Sequence, residues 1–121
     1  MEDLPHNVKQ GLQAFNRGDF YLAHEYFEDA WRETPDEVRE FYRALLHLSG
    51  GYYRLTQNRA HAARKFFHRS LHWIGQFPNP YLSIDTSALI DHLDEIITAI
   101  DSGSTPELIL EHHIIQIQRP D

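Results

Sequence analysis

Apolar residues recur at helical spacing almost from the start of this chain. Val8, Leu12 and Phe15 stand at i, i+4 and i+7, which predicts a helix from Pro5 to about Asn16 with the proline near its first turn. Gly18 ends that helix, and Asp19 can cap a second one running from Phe20 to about Glu33. The apolar stripe of the second helix is Phe20, Ala23, Phe27, Ala30 and Trp31. Thr34-Pro35-Asp36-Glu37 then reads as a start signal, with Thr34 as N-cap, Pro35 at N1 and Glu37 closing a capping box. The third helix is predicted to reach about Gln57, with Val38, Phe41, Leu45, Leu48 and Tyr52 as its main apolar face. Asn58 is expected to cap a fourth helix that lasts to about Gln76, where the prolines of Phe77-Pro78-Asn79-Pro80 must break it. Leu89, Ile90, Leu93, Ile96, Ile97 and Ile100 mark a fifth helix that stops at Asp101-Ser102-Gly103. Thr105-Pro106 can start a short sixth. Ile115-Gln116-Ile117-Gln118 alternates with period two, but four residues cannot form a sheet alone.

This pattern predicts an all-α fold, a compact bundle of five or six helices built from antiparallel hairpins. The 121 residues fit one domain, with helices over 83–112 packing on the N-terminal ones and 113–121 as an extended tail. A faint internal repeat accompanies the hairpins. Gly18-Asp19-Phe20, Ala23, Tyr26, Ala30 and Pro35 sit roughly where tetratricopeptide repeats place comparable residues. Ala63 and Ser70 echo Ala23 and Ala30 at a longer spacing than such repeats use.

Composition narrows the function classes. Cysteine is absent, which removes disulfides, thiolate chemistry and iron–sulfur ligation. The formal charge of −7 argues against nucleic acid or an anionic membrane as the main partner. No apolar run approaches the ~20 residues of a membrane helix. Met1-Glu2-Asp3-Leu4-Pro5 has neither a basic nor an apolar leader segment, so a cytoplasmic location is expected. Nine histidines are many for this length.

Candidate chemistry concentrates on the second helix. At ~100° per residue, His24, Glu28 and Trp31 share one strip at the margin of the buried stripe, and Glu25 lies further toward solvent. A buried polar group left unpaired costs ~1–3 kcal/mol, so the strip calls for partners. The third helix offers Arg43, His47 and Arg54 on the face opposite its apolar one. Gly50 and Gly51 lie beside them. A mid-helix glycine costs ~1 kcal/mol relative to alanine, and close approach of another backbone or a ligand would offset it.

The run Phe15-Asn16-Arg17-Gly18-Asp19-Phe20 through Ala23-His24-Glu25, Glu28 and Trp31 closely resembles a family signature, F-N-x-G-x-[YF]-x-x-A-H-E-x-x-E-x-x-W. The family is the one called domain of unknown function 309. The stretch from Phe41 to Leu55 is similar to its second motif and that from Asn58 to Leu71 to its third helix pair, so the resemblance covers about residues 4–75. It implies a compact all-helical fold and a cluster of His24, Glu25, Glu28 and Trp31, and it implies no activity. The second motif leads one to expect Gln at position 47 and His at position 54, where this chain has His47 and Arg54.

Two function classes follow. The first is a non-enzymatic module that binds a protein partner or small ligand at a polar groove between the second and third helices, lined by His24, Glu25, Glu28, Trp31, His47 and Arg54. The second is a small metal-dependent or hydrolase-like enzyme using His24 and Glu28, with His47 as a further metal ligand. The first is favoured, with no cofactor expected. His24-Glu25-x-x-Glu28 lacks the second histidine of a zinc-protease motif, and no Glu-x-x-His pair of the di-iron bundles occurs. Nor is there a G-x-S-x-G nucleophile motif. Trp31 is expected to serve the core. If Glu28 is buried and ionised, Arg54 or Arg43 is the expected counter-charge. His61, Lys65, His68 and His72 form a stripe opposite Ala63, Phe67, Ser70 and Ile74, and should face solvent.

Overall fold

A computed structural model describes residues 4–117. They form α1 (His6–Asn16), α2 (Phe20–Glu33), α3 (Arg39–Thr56), α4 (Ala60–Ile74), α5 (Thr86–Asp101) and α6 (Pro106–His112). Among the described residues no strand occurs beyond one isolated bridge between Tyr81 and Ile84. Each of α1 to α5 packs beside the next in the chain, including α4 on α5 across the intervening loop, and α6 returns to touch α3 as well as α5. No helix of the described residues is long and apolar enough to cross a membrane.

Most boundaries follow local chemistry. Gly18 adopts a left-handed φ of 86°, and the Asp19 carboxylate accepts from the Leu22 amide to start α2. Thr105 accepts from the Leu108 amide ahead of Pro106, as its sequence predicts. Two starts differ from expectation. The Thr34 hydroxyl donates to the Ala30 carbonyl at 2.7 Å, so it closes α2 and does not cap α3. The chain then makes tight turns, with Arg39 and Glu40 amides bonded to the Asp36 and Glu37 carbonyls, and α3 begins only at Arg39 without a side-chain cap. Asn58 does not cap α4 either. It takes φ 60°, which asparagine tolerates well, and allows the Arg59 amide to reach back to the Arg54 carbonyl at the end of α3.

The core is aromatic at its centre. Tyr52 is fully buried, stacked on Phe20 at 4.8 Å and edge-on to Phe15 and Phe67. Its hydroxyl donates to the His113 carbonyl at 2.6 Å, beside His92 Nε2 at 2.7 Å. Burial pushes the Tyr52 hydroxyl up and the His92 imidazole down from their ordinary values. Small residues let the helices close. Ala23, Ala30, Ala63 and Ser70 are all buried, and Ser70 bonds to the Ala44 carbonyl of α3. Beyond α6 no secondary structure forms among the described residues, and Ile117 is buried, Ile115 half-buried and Gln116 exposed, in keeping with the period-two alternation read from the sequence. Gln118 and residues 119–121 of the expected tail lie outside the described residues.

Candidate functional site

The strip on α2 forms as its spacing requires. His24 Nδ1 lies 3.8 Å from Glu25 Oε1 and 4.0 Å from Glu28 Oε2, and one ligand atom from each of the three residues falls within 4.8 Å of the others. Glu28 is half-buried, at 32% side-chain exposure, and its counter-charge is Arg32, one turn further along the same helix. This corrects the expectation of Arg54 or Arg43. The pairing is local because an i, i+4 carboxylate and guanidinium meet without help from another helix. Glu28 therefore has its counter-charge without a cation from another helix.

His47 does not join the cluster of His24, Glu25 and Glu28. It is half-buried on α3, its ring 6.0 Å from that of Phe66, and its buried Nδ1 has no hydrogen-bond partner among the described residues. Burial first, then the Arg69 and Arg43 guanidiniums, hold its pKa down at about 4. The third member of the possible ligand set is thus Glu25, not His47. Arg54 also departs from expectation. Its guanidinium bonds to Gln57 at 2.9 Å and lies over the Phe66 and Tyr53 rings, outside the cleft that His24 lines.

That cleft has a volume of about 500 Å³. Helix α2 contributes His24, Glu28 and Trp31, and α3 contributes Arg43, Leu46 and His47. Helix α4 supplies a third wall, Phe66, Arg69 and Trp73, which the two-helix groove read from the sequence lacks. The glycines explain how the walls meet. A Cβ on Gly50 would stand 2.9 Å from Phe66 and 3.4 Å from the His24 ring, and one on Gly51 would stand 2.5 Å from Phe67. Both are approached closely, by aromatic side chains and not by a backbone.

Trp31 is only partly a core residue. Its ring packs against the core on one side and lines the cleft on the other. The Arg39 and Arg43 guanidinium carbons lie 4.7 and 4.8 Å from its ring centre, and Arg43 also lies 4.5 Å from the ring centre of Trp73. Glu40 is ion-paired to both arginines. Among the described residues the buried indole Nε1 finds no acceptor. The histidine stripe of α4 is exposed throughout, as expected.

A second concavity of about 390 Å³ adjoins the first, because Phe66 and Arg69 line both. Arg54, Arg59, Lys65 and His61 form its rim. The site residues not foreseen from the α2 pattern therefore all come from α4 and its approach. The signal for them is in the charge order. From Phe41 to Ile84 the chain has six basic residues, Arg43, Arg54, Arg59, Arg64, Lys65 and Arg69, and no acidic one.

The family model described as domain of unknown function (DUF309) matches residues 8–66, which bears out the resemblance to that family. A protein of Aquifex aeolicus (strain VF5), described as uncharacterized, is 26% identical over 102 residues, covering 84% of this chain. The chain spans about a third (31%) of that relative's length.

Proposed function

We infer that the chain is a non-enzymatic ligand-binding module and that the cleft between α2, α3 and α4 takes a small organic molecule. One observation carries this reading. Trp31 Nε1 and His47 Nδ1 are buried on residues that line the cleft, and among the described residues neither has a hydrogen-bond partner. Buried unsatisfied polar atoms cost ~1–3 kcal/mol each, and a ligand that pairs them recovers that cost. The walls suit a flat, partly apolar molecule, since Trp31, Trp73 and Phe66 give aromatic faces and Arg43 and Arg69 give cations. Acid–base catalysis fits less well. It works best with a group poised near neutral pH, and His47, held at about 4, cannot assist His24 and Glu28 in that role.

Nitrogen-15 NMR with indole and benzoate as probes tests the reading. Binding in the cleft moves the Trp31 indole N–H resonance and the His47 ring nitrogens. Trp73 then serves as the control for the cleft mouth. If neither probe moves these signals at millimolar concentration, or if they move only signals on α5 and α6, the reading is wrong.

A second reading, metal binding by His24, Glu25 and Glu28, is favoured by their mutual distances alone. A nitrogen and two carboxylate oxygens suit a divalent ion such as zinc, with Glu28 offering the oxygen that Arg32 does not hold. Elemental analysis of untagged protein decides it. About one metal per chain, lost in His24→Ala, would replace the ligand-binding module by a metal protein.

A further inference from the structure

We propose that the groove along α3 and α4 binds a small organic phosphate that carries an aromatic ring. The phosphate sits among Arg54, Arg59 and Lys65, and the ring lies in the adjoining cleft of Trp31 and Trp73. The ring half rests on the ligand-binding reading above; the phosphate half stands on separate observations.

The first is charge order. An acidic chain of net charge −7 places six of its eleven basic residues in a stretch without one Asp or Glu. Four of the six line the two clefts' shared and outer rims: Arg54, Arg59, Lys65 and Arg69. Among the described residues none of these four lies within ion-pair distance of a carboxylate, whereas Arg32, Arg39, Arg43 and Arg64 do. Like charges gathered on a concave surface repel, and an anion relieves that repulsion.

The second is shape. The outer concavity is floored by Phe66 and Ala62, and the guanidinium carbons of Arg54 and Arg69 lie 5.4 and 5.7 Å from the Phe66 ring centre. The ring holds two forked donors at one site, the geometry that suits phosphate oxygens. Arg69 and Phe66 belong to both concavities, so one ligand can reach from the cationic side to the aromatic side. Each volume is of the size that one part of a small molecule fills. A long nucleic acid fits worse. Its backbone would run on to α2, where Glu25, Asp29 and Glu33 add negative charge at the surface.

Calorimetric titration with ADP, pyrophosphate, adenosine and a thymidylate oligomer tests this. ADP should bind more tightly than pyrophosphate or adenosine, and its affinity should fall as salt is raised. The exposed pair Arg59→Ala/Lys65→Ala should keep its helical circular dichroism and lose ADP affinity by about tenfold or more, the equivalent of at least one charge-assisted hydrogen bond. Absence of ADP and pyrophosphate binding at millimolar concentration would overturn the proposal, and so would unchanged affinity in the double variant. Pyrophosphate binding as tightly as ADP would remove the ring from it. An oligomer that binds far more tightly than ADP would replace the small phosphate by single-stranded nucleic acid. If indole or benzoate still occupies the inner cleft while phosphates fail, only this proposal falls and the binding module stands.

Discussion

His47 is kept neutral by where it sits. Burial lowers its pKa from 6.5 to about 4, and Arg69 and Arg43 push in the same direction. In the unfolded chain the same imidazole takes its proton near pH 6.5. Between these values the unfolded state binds more protons than the folded one, so stability falls as pH falls. His47's contribution is whole above pH 6.5 and is lost as the pH drops toward about 4. By linkage the loss is at most roughly 3 kcal/mol, and less as water in the cleft screens the charge. His92, also lowered by burial, acts with the same sign. Urea midpoints measured from pH 7.5 to 4 should therefore decline, and His47→Gln should flatten the decline by up to about one proton. An identical slope in the variant would show that His47 is solvated and free to charge. An anion bound beside Arg69 should raise the His47 pKa, which connects this titration to the binding experiments.

At the scale of the helices, adjacent glycines on α3 make opposing demands. Alanine in place of either gains ~1 kcal/mol of helix propensity. At Gly51 the new methyl would stand 2.5 Å from Phe67, which is fully buried and has no room to turn. At Gly50 it would meet Phe66, a half-buried ring at the cleft wall that can swing aside. Gly51→Ala should thus be net destabilising by ~1–3 kcal/mol, while Gly50→Ala should fall within about 1 kcal/mol of the parent. Thermal unfolding of the two variants checks this, and equal effects would contradict it. The pair also shows what sequence pattern carries. Mid-helix glycines announce close approach, and the i, i+4, i+7 stripes of α1, α2 and α5 announce which face is buried. They do not say which neighbour arrives. Phe66, Arg69 and Trp73 reach the cleft only because α4 packs on α3, and no local spacing on α2 encodes that. Thr34 and Asn58 failed as caps for a related reason. Each has chemistry for two adjacent helix ends, and the hydrogen bond that forms, to Ala30 in one case and across the end of α3 in the other, depends on where the next helix must begin. The strip on α2 brings His24, Glu25 and Glu28 together, and pairing across helices places His47 in one cleft with His24 and Glu28, whereas Glu25 and Arg54 of the expected groove do not line that cleft.

On the scale of the whole molecule, the last described segment is tied to the end of α1 by one side chain. Asn16, at the last turn of α1, donates through Nδ2 to the Ile117 carbonyl and accepts at Oδ1 from the Ile117 amide, both at 2.8 Å. The amide side chain thereby imitates a strand neighbour, pairing both polar groups of one residue a hundred positions away. Gln116 adds a bond to the Asn16 carbonyl at 3.0 Å, and Tyr52 holds the segment's start through the His113 carbonyl. Between these points Ile115 and Ile117 cover the core near Ile84 and Leu89. The asparagine of the F-N pair in the α2 signature thus serves closure of the bundle and not the cleft. Asn16→Ala removes two hydrogen bonds to a half-buried backbone, and each is worth ~1 kcal/mol net. It should lower stability by about 1–2 kcal/mol and speed amide exchange at Ile117 without altering exchange in the centre of α3. Asn16→Asp is the sharper probe, because a carboxylate can still accept from the Ile117 amide but cannot donate to its carbonyl. It should fall between the parent and Asn16→Ala at neutral pH. Protection at Ile117 that is the same in all three proteins would mean that burial of Ile117 alone holds the segment in place.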